Sequence, residues 1–244
     1  MQIIDVDDPI ATAAVRAIHE GDVEGLRRML IEHPDLARAA LGSKDSANGM
    51  TRSLLHVVTD WPGHFPRGPE TVKTLVAAGA DVDARFTGPH TETPLHWAAS
   101  SDDVAVLDAL LDAGADIEAT GAVIAGGTPM ADATAFGQWN AARRLLERGA
   151  TTNLWEASAL GLLDRVESFF AADEGPAPDH VTASFWGACH GGHRDVAEYL
   201  LDRGAELNWV GWDELTPLDA AARSGADDVV AWLRSIGGRS ATPA

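Results

Sequence analysis

Cysteine is nearly absent from this chain. Cys189 is the one thiol among 244 residues, so no disulfide can close within the chain, and a reducing compartment fits. Lysine is scarce too: Lys44 and Lys73 stand against sixteen arginines, a usage that points to a GC-rich bacterial genome. Basic residues together number 18 against 37 acidic ones, a formal charge of -19. Nucleic acid attracts basic surfaces through counterion release, so it is excluded as an expected partner. Anionic membrane surfaces are disfavoured by the same sign argument. No apolar run approaches the roughly eighteen residues of a membrane span. The start, MQIIDVDDPI, lacks the basic residues and apolar run of a signal peptide. The expected location is the cytoplasm. Tyrosine completes the scarcities, with one residue beside eight tryptophans.

What is present is a repeat. Gly79, Gly114 and Gly149 recur every 35 residues inside AAGADVD, DAGADIE and ERGATTN, and Gly204 and Gly237 follow 33 residues apart. The clearest unit is TETPLHWAASSDDVAVLDALLDAGADIE, residues 91–118. Its Thr93-Pro94 pair suits a helix start, because threonine caps free N–H groups and proline has the φ of a first helical residue. A short helix over 95–100 breaks at Ser101-Asp102. A second helix follows, with Val104, Leu107, Leu110 and Leu111 on one stripe. Neither helix can bury its apolar face alone, so neighbours are required. Echoes of TPLHWAA stand at Ser53 (SLLHVVT), Thr128 (TPMADAT) and Thr216 (TPLDAAA).

These motifs resemble the ankyrin repeat, a hairpin, a short inner helix, a longer outer helix and a glycine turn. The resemblance implies an all-α solenoid of about seven helix-turn-helix units joined by short hairpin loops, read as one domain over residues 1–240. The units fall at about 10–40, 50–84, 91–120, 126–150, 153–172, 181–208 and 213–239, with a frayed tail over 241–244. Repeat one lacks the Thr-Pro start, as a polar end unit should. Repeat two carries an insertion over 62–69 whose three prolines and two glycines exclude helix. Residues 173–179 form a linker. By resemblance, His56 and His96 tie hairpins together through their imidazoles, and the concave side binds other proteins without cofactor or chemistry; no metal is expected.

Other patterns are weak. Cys189-His190-Gly191-Gly192-His193 has HxxH spacing, but zinc wants a further ligand and two glycines break the helix. Asp5-Val6-Asp7-Asp8 resembles an acid motif of terpene cyclases, yet reads as a solvated acidic tail. No phosphate loop, nucleophile triad order or HExxH occurs.

Departures from the repeat are more informative. The place after the motif histidine holds Trp97, Asp132 and Glu156 in repeats three, four and five, which puts them in a row. One turn further lie Asp60 and Trp61 of repeat two and His190 of repeat six. Trp155 and Trp186 replace the motif histidine itself. Aromatic walls with a few placed polar groups build binding pockets. The insertion, with His64, is expected to fold over that groove as a lid. The first functional expectation is an interaction module whose acidic, tryptophan-rich groove grips a basic peptide segment. Its contact residues would be Asp60, Trp61, His64, Trp97, Trp155 and Trp186. The alternative is a small-organic-ligand binder or enzyme on the same scaffold. Asp132 and Glu156 would then be a carboxylate pair for acid–base work, and His190 a further proton carrier.

Overall fold

A computed structural model describes residues 2–43, 49–171 and 174–241. The expected frayed tail beyond Ala241, Lys44, and the ends of repeat five and of the 173–179 linker at residues 172 and 173 lie outside them. Fourteen α-helices stand in chain order among the described residues. They are α1 Pro9–Glu20, α2 Val23–Glu32, α3 Leu54–Thr59, α4 Gly68–Ala77, α5 Pro94–Ser100, α6 Val104–Asp112, α7 Pro129–Ala135, α8 Trp139–Glu147, α9 Leu154–Ala159, α10 Leu163–Phe170, α11 Pro178–Gly191, α12 Arg194–Leu201, α13 Pro217–Arg223 and α14 Asp227–Ser235. They pack as seven successive pairs. The fold is an ankyrin-repeat solenoid. The helices group into two compact units, Met1–Ala150 and Thr151–Ala244.

Within the first unit, inner helices α1, α3, α5 and α7 pack side by side in order. The local causes are those of the motif. Thr93 and His96 close a capping box at the start of α5, and Thr93 Oγ1 lies 2.9 Å from His96 Nδ1. The other imidazole nitrogen, Nε2, reaches Gly127 O of the next hairpin at 3.3 Å. His56 does the same, holding Ser53 at one nitrogen and Glu92 O at the other, 3.1 Å away. Burial pushes both imidazoles down to a pKa of about 4, so they stay neutral as each tie requires. Gly114 ends α6 at φ 93°, a conformation that a side chain would strain. The buried stripe of α6 is Val106, Leu107, Ala109 and Leu110, whereas Val104 and Leu111 are half-buried. Each fully buried leucine contributes about 1.5–3 kcal/mol.

Three features differ from the sequence reading. A small sheet sits at the N-terminal end: β1 Ile3–Asp5 runs parallel to β2 Ala40–Gly42, which is antiparallel to β3 Thr51–Ser53. The acidic start is therefore built in rather than loose. Asp8 Oδ1 caps α1 through Ile10 N at 2.9 Å. The insertion is no lid. Phe65 stacks on His19 of α1 at 4.3 Å, and Arg67 makes a two-pronged ion pair with Glu24 of α2. His64 N donates to Asp103 Oδ2 at 2.8 Å, and its Nε2 lies 3.0 Å from Ser101 O. The segment straps repeat one to repeat three. Its end, Gly68-Pro69, opens α4, since proline is tolerated in a first turn where its missing N–H costs nothing.

The second unit centres on α11, which packs against α9, α12 and α13. Phe185, Val196, Leu200 and Leu233 fill its core with no exposure. The expected linker shortens because α11 begins at Pro178.

Candidate functional site

The site residues divide between the two units. In the first, Glu92 is the hub, supplied by the hairpin just before α5. Its main-chain oxygen accepts from Phe86 N at 2.8 Å and from the His56 ring. The carboxylate Oε2 accepts from Trp97 Nε1 at 2.7 Å, and Oε1 accepts from Val123 N at 3.1 Å. His90 Nδ1 lies 2.8 Å from Oε2, without the geometry of a hydrogen bond. Phe86 stacks on His90 at 4.7 Å and tilts against Trp97 at 5.5 Å, and Trp97 meets His56 edge-on. A carboxylate is thus 5 % exposed within an aromatic nest.

Asp132 of α7 is fully buried, and no hydrogen bond of normal geometry reaches either of its oxygens. Beside it stand the Glu92 carboxylate and the backbone of Ile124. Burial, then the charge of Glu92, pushes Asp132 up to a pKa of about 8. At neutral pH it holds a proton.

Above Glu92 opens a cleft of about 250 Å³, lined by Asp60, Trp61, Glu92, Trp97, Val123 and Phe136 among others, with Asp132 buried out of reach of its surface. Phe136 sits one helical turn beyond Asp132. Trp61 is 84 % exposed and offers its faces to solvent. Asp60, at the rim, pairs with Arg52. A larger groove of about 650 Å³ runs between outer helices α2 and α4, but its charged side chains, Arg27, Arg67, Glu70 and Lys73, are all exposed. It holds no desolvated polar group to confer selectivity. The smaller cleft does.

In the second unit, Trp155, Trp186 and Trp209 surround Trp212 edge-on at 5.7, 5.1 and 5.5 Å. Trp186 Nε1 donates to Leu215 O at 2.9 Å, and Arg223 lies over its ring. Glu156 Oε2 accepts from Asn153 N at 2.9 Å, completing the capping box of α9. His190 Nδ1 lies 3.0 Å from Ser224 Oγ.

The structure therefore brings Asp60, Trp61 and Trp97 to one cleft, while Asp132 is buried outside its lining. It brings Trp155 and Trp186 to another, and His64 into the strap. Asp132 and Glu156 fall in separate units, each with its own partners. Glu92, His90, Phe86, Phe136, Trp209 and Trp212 were missed by the repeat alignment, because they lie in hairpins and helix ends outside the inner-helix register. One signal was available: Glu92 precedes the Thr-Pro start of the repeat that carries Trp97. Among the described residues, no three His, Cys, Asp or Glu side chains stand together as a metal site. No described helix is long and apolar enough to cross a membrane.

Paired helices and histidine-tied hairpins define a repeat scaffold. The chain belongs to the ankyrin-repeat family. Its repeat profiles match residues 55–155, as three copies, and 185–212, together more than half of the chain. An ankyrin repeat and KH domain-containing protein of Caenorhabditis briggsae is 34% identical over 174 residues. The match covers 68% of this chain but 6% of that protein's length. The crystal structure of the human ASB11 ankyrin repeat domain has a similar fold, with a TM-score of 0.52 and 21% identity. That match covers 90% of this chain and 96% of the other.

Proposed function

We propose that the chain is a protein-binding ankyrin module of a reducing, cytoplasmic compartment, and that its acidic, tryptophan-walled cleft grips a partner segment bearing arginine or lysine. The observation that carries this is the cleft itself: Trp61 is held open to solvent over a floor of Glu92 and Trp97. Aromatic faces next to a desolvated carboxylate favour a cationic side chain over a neutral one. The tryptophans of the second unit offer a further contact surface of the same chemistry. A randomised peptide library displayed against the protein tests this reading. Selected peptides should fix arginine or lysine at one position and weaken with added salt. Trp97→Ala and Trp61→Ala should each weaken them by about tenfold, which is about 1.4 kcal/mol. Enrichment of acidic or purely apolar peptides, or wild-type affinity in both variants, would overturn it.

A second reading, an enzyme using acid–base chemistry in the same groove, is favoured by the proton that Asp132 retains near neutral pH. The carboxylate paired with it would then be Glu92, with Glu156 acting at a separate place. Here Asp132→Asn would abolish turnover of a ligand that still binds.

A further inference from the structure

Resting on the peptide-binding reading, we propose that the guest of the cleft is a quaternary ammonium group, the head of a fully methylated lysine on the partner segment. What decides between cations is how the lining uses its hydrogen bonds. Its hydroxyls all donate to main-chain oxygens of α3 or α5. Thr59 Oγ1 donates to Leu55 O at 3.2 Å, Ser100 Oγ to His96 O at 2.9 Å, and Ser101 Oγ to Trp97 O at 2.9 Å. The Trp97 indole N–H is given to Glu92, whose other oxygen accepts from Val123 N. Asp60 Oδ2 accepts from Arg52. The lining therefore offers carboxylate charge and ring faces, with most of its hydrogen-bonding groups already engaged. A lysine ammonium brings three N–H donors and a guanidinium five, and each one stripped of water without an acceptor is costly. A quaternary ammonium carries the same charge with no N–H to satisfy.

The walls suit that guest. Trp61, Trp97 and Phe136 line the one cleft, and Trp61 and Phe136 keep 84 % and 48 % exposure. Aromatic faces attract a methylated cation through the ring quadrupole. At about 250 Å³ the cleft is smaller than the roughly 300–1,000 Å³ of a site for a drug-sized ligand, which is the scale of a head group. The backbone around Trp61 is held in place before any guest arrives. Gly63 N donates to Asp60 O at 2.7 Å, and His64 is tied to Asp103 and to Ser101 O. A wall positioned in advance lowers the cost of ordering on binding.

The probes are the acetyl methylamides of trimethyllysine, lysine and arginine, with a carbon isostere of the first whose head is an uncharged tert-butyl group. Binding to the whole chain is followed by tryptophan fluorescence and calorimetry. The trimethyllysine probe should bind at least about tenfold tighter than each of the other three. Trp61→Ala should weaken it by about tenfold and leave the melting temperature unchanged. Glu92→Gln removes charge from the floor, so it should weaken the trimethyllysine probe and leave the isostere as it was. If that variant does not fold, Trp61→Ala decides. Lysine or arginine bound as tightly would overturn the inference while leaving the docking reading intact. An isostere bound as tightly, wild-type affinity in Trp61→Ala, or no binding of the trimethyllysine probe up to about 10 mM would also overturn it. Free choline tests the source of the head group. It should bind more weakly than the trimethyllysine probe, and equal or tighter binding would overturn the partner-borne lysine. The peptide library decides the docking reading separately.

Discussion

At the scale of single residues, Asp132 shows how far a pattern can be read without coordinates. Its place after the motif histidine marked it as a departure, and that was legible from spacing alone. Its partner was not legible, because hairpins fold Glu92 under α5 by backbone geometry that carries no periodic signal. Glu156 shows the converse. It shares the register of Asp132, yet closes a capping box with Asn153, a role visible in the asparagine three residues earlier and overlooked in favour of the row. The Glu92–Asp132 coupling has a direct test. Glu92→Gln keeps an acceptor for the Trp97 indole and removes the neighbouring charge. Asp132 should then titrate well below its pKa of about 8, while burial still holds it above the ordinary carboxylate value of about 4. Carboxyl carbon shifts measured by NMR against pH would show this. An unchanged titration would mean that burial alone sets it.

Among elements, helices were legible and strands were not. The apolar spacing of α6 and the Thr-Pro start of α5 fix both helices within a residue or two, because those signals act over single turns. The sheet of β1, β2 and β3 has strands of three residues each, too short for alternation to stand out, and it pairs Ile3 with Ala40, far along the chain. The strap was misread for a related reason. Prolines and glycines exclude helix, but they do not say what the loop touches. The helix pairs themselves make a firm prediction. Leu110 has no exposure and faces the inner helix, so Leu110→Ala should cost about 2–5 kcal/mol through the cavity it leaves. A urea melt overlaying the wild type would contradict the packing of α6.

For the molecule as a whole, three buried groups set a pH optimum. His56 and His96 are pushed down to about 4, below their unfolded value of about 6.5. As pH falls through that window, the unfolded chain binds two protons that the folded one refuses, and stability drops. Asp132 is pushed up to about 8, so from about pH 4 upward the folded chain holds a proton that the unfolded one has lost, and stability drops as pH rises. Below about 6.5 the two histidines outweigh Asp132; above it Asp132 acts alone, at up to about 1.4 kcal/mol per pH unit. Melting temperature against pH should therefore peak near 6.5. Asp132→Asn should remove the alkaline fall up to pH 8; an alkaline limb that persists in that variant would show another group to be responsible.

The strap from Trp61 to Arg67 has a consequence under mechanical load. Solenoid repeats ordinarily peel from an end one at a time, since each leans on its neighbours alone. Here repeat one is latched through Phe65 and Arg67, and repeat three through His64, so repeats one to three should yield together. Pulled from the N-terminus, repeats one to three should give one rupture releasing roughly 400 Å of chain, at about 3.6 Å per residue. A Phe65→Ala, Arg67→Ala variant should break instead in several shorter steps.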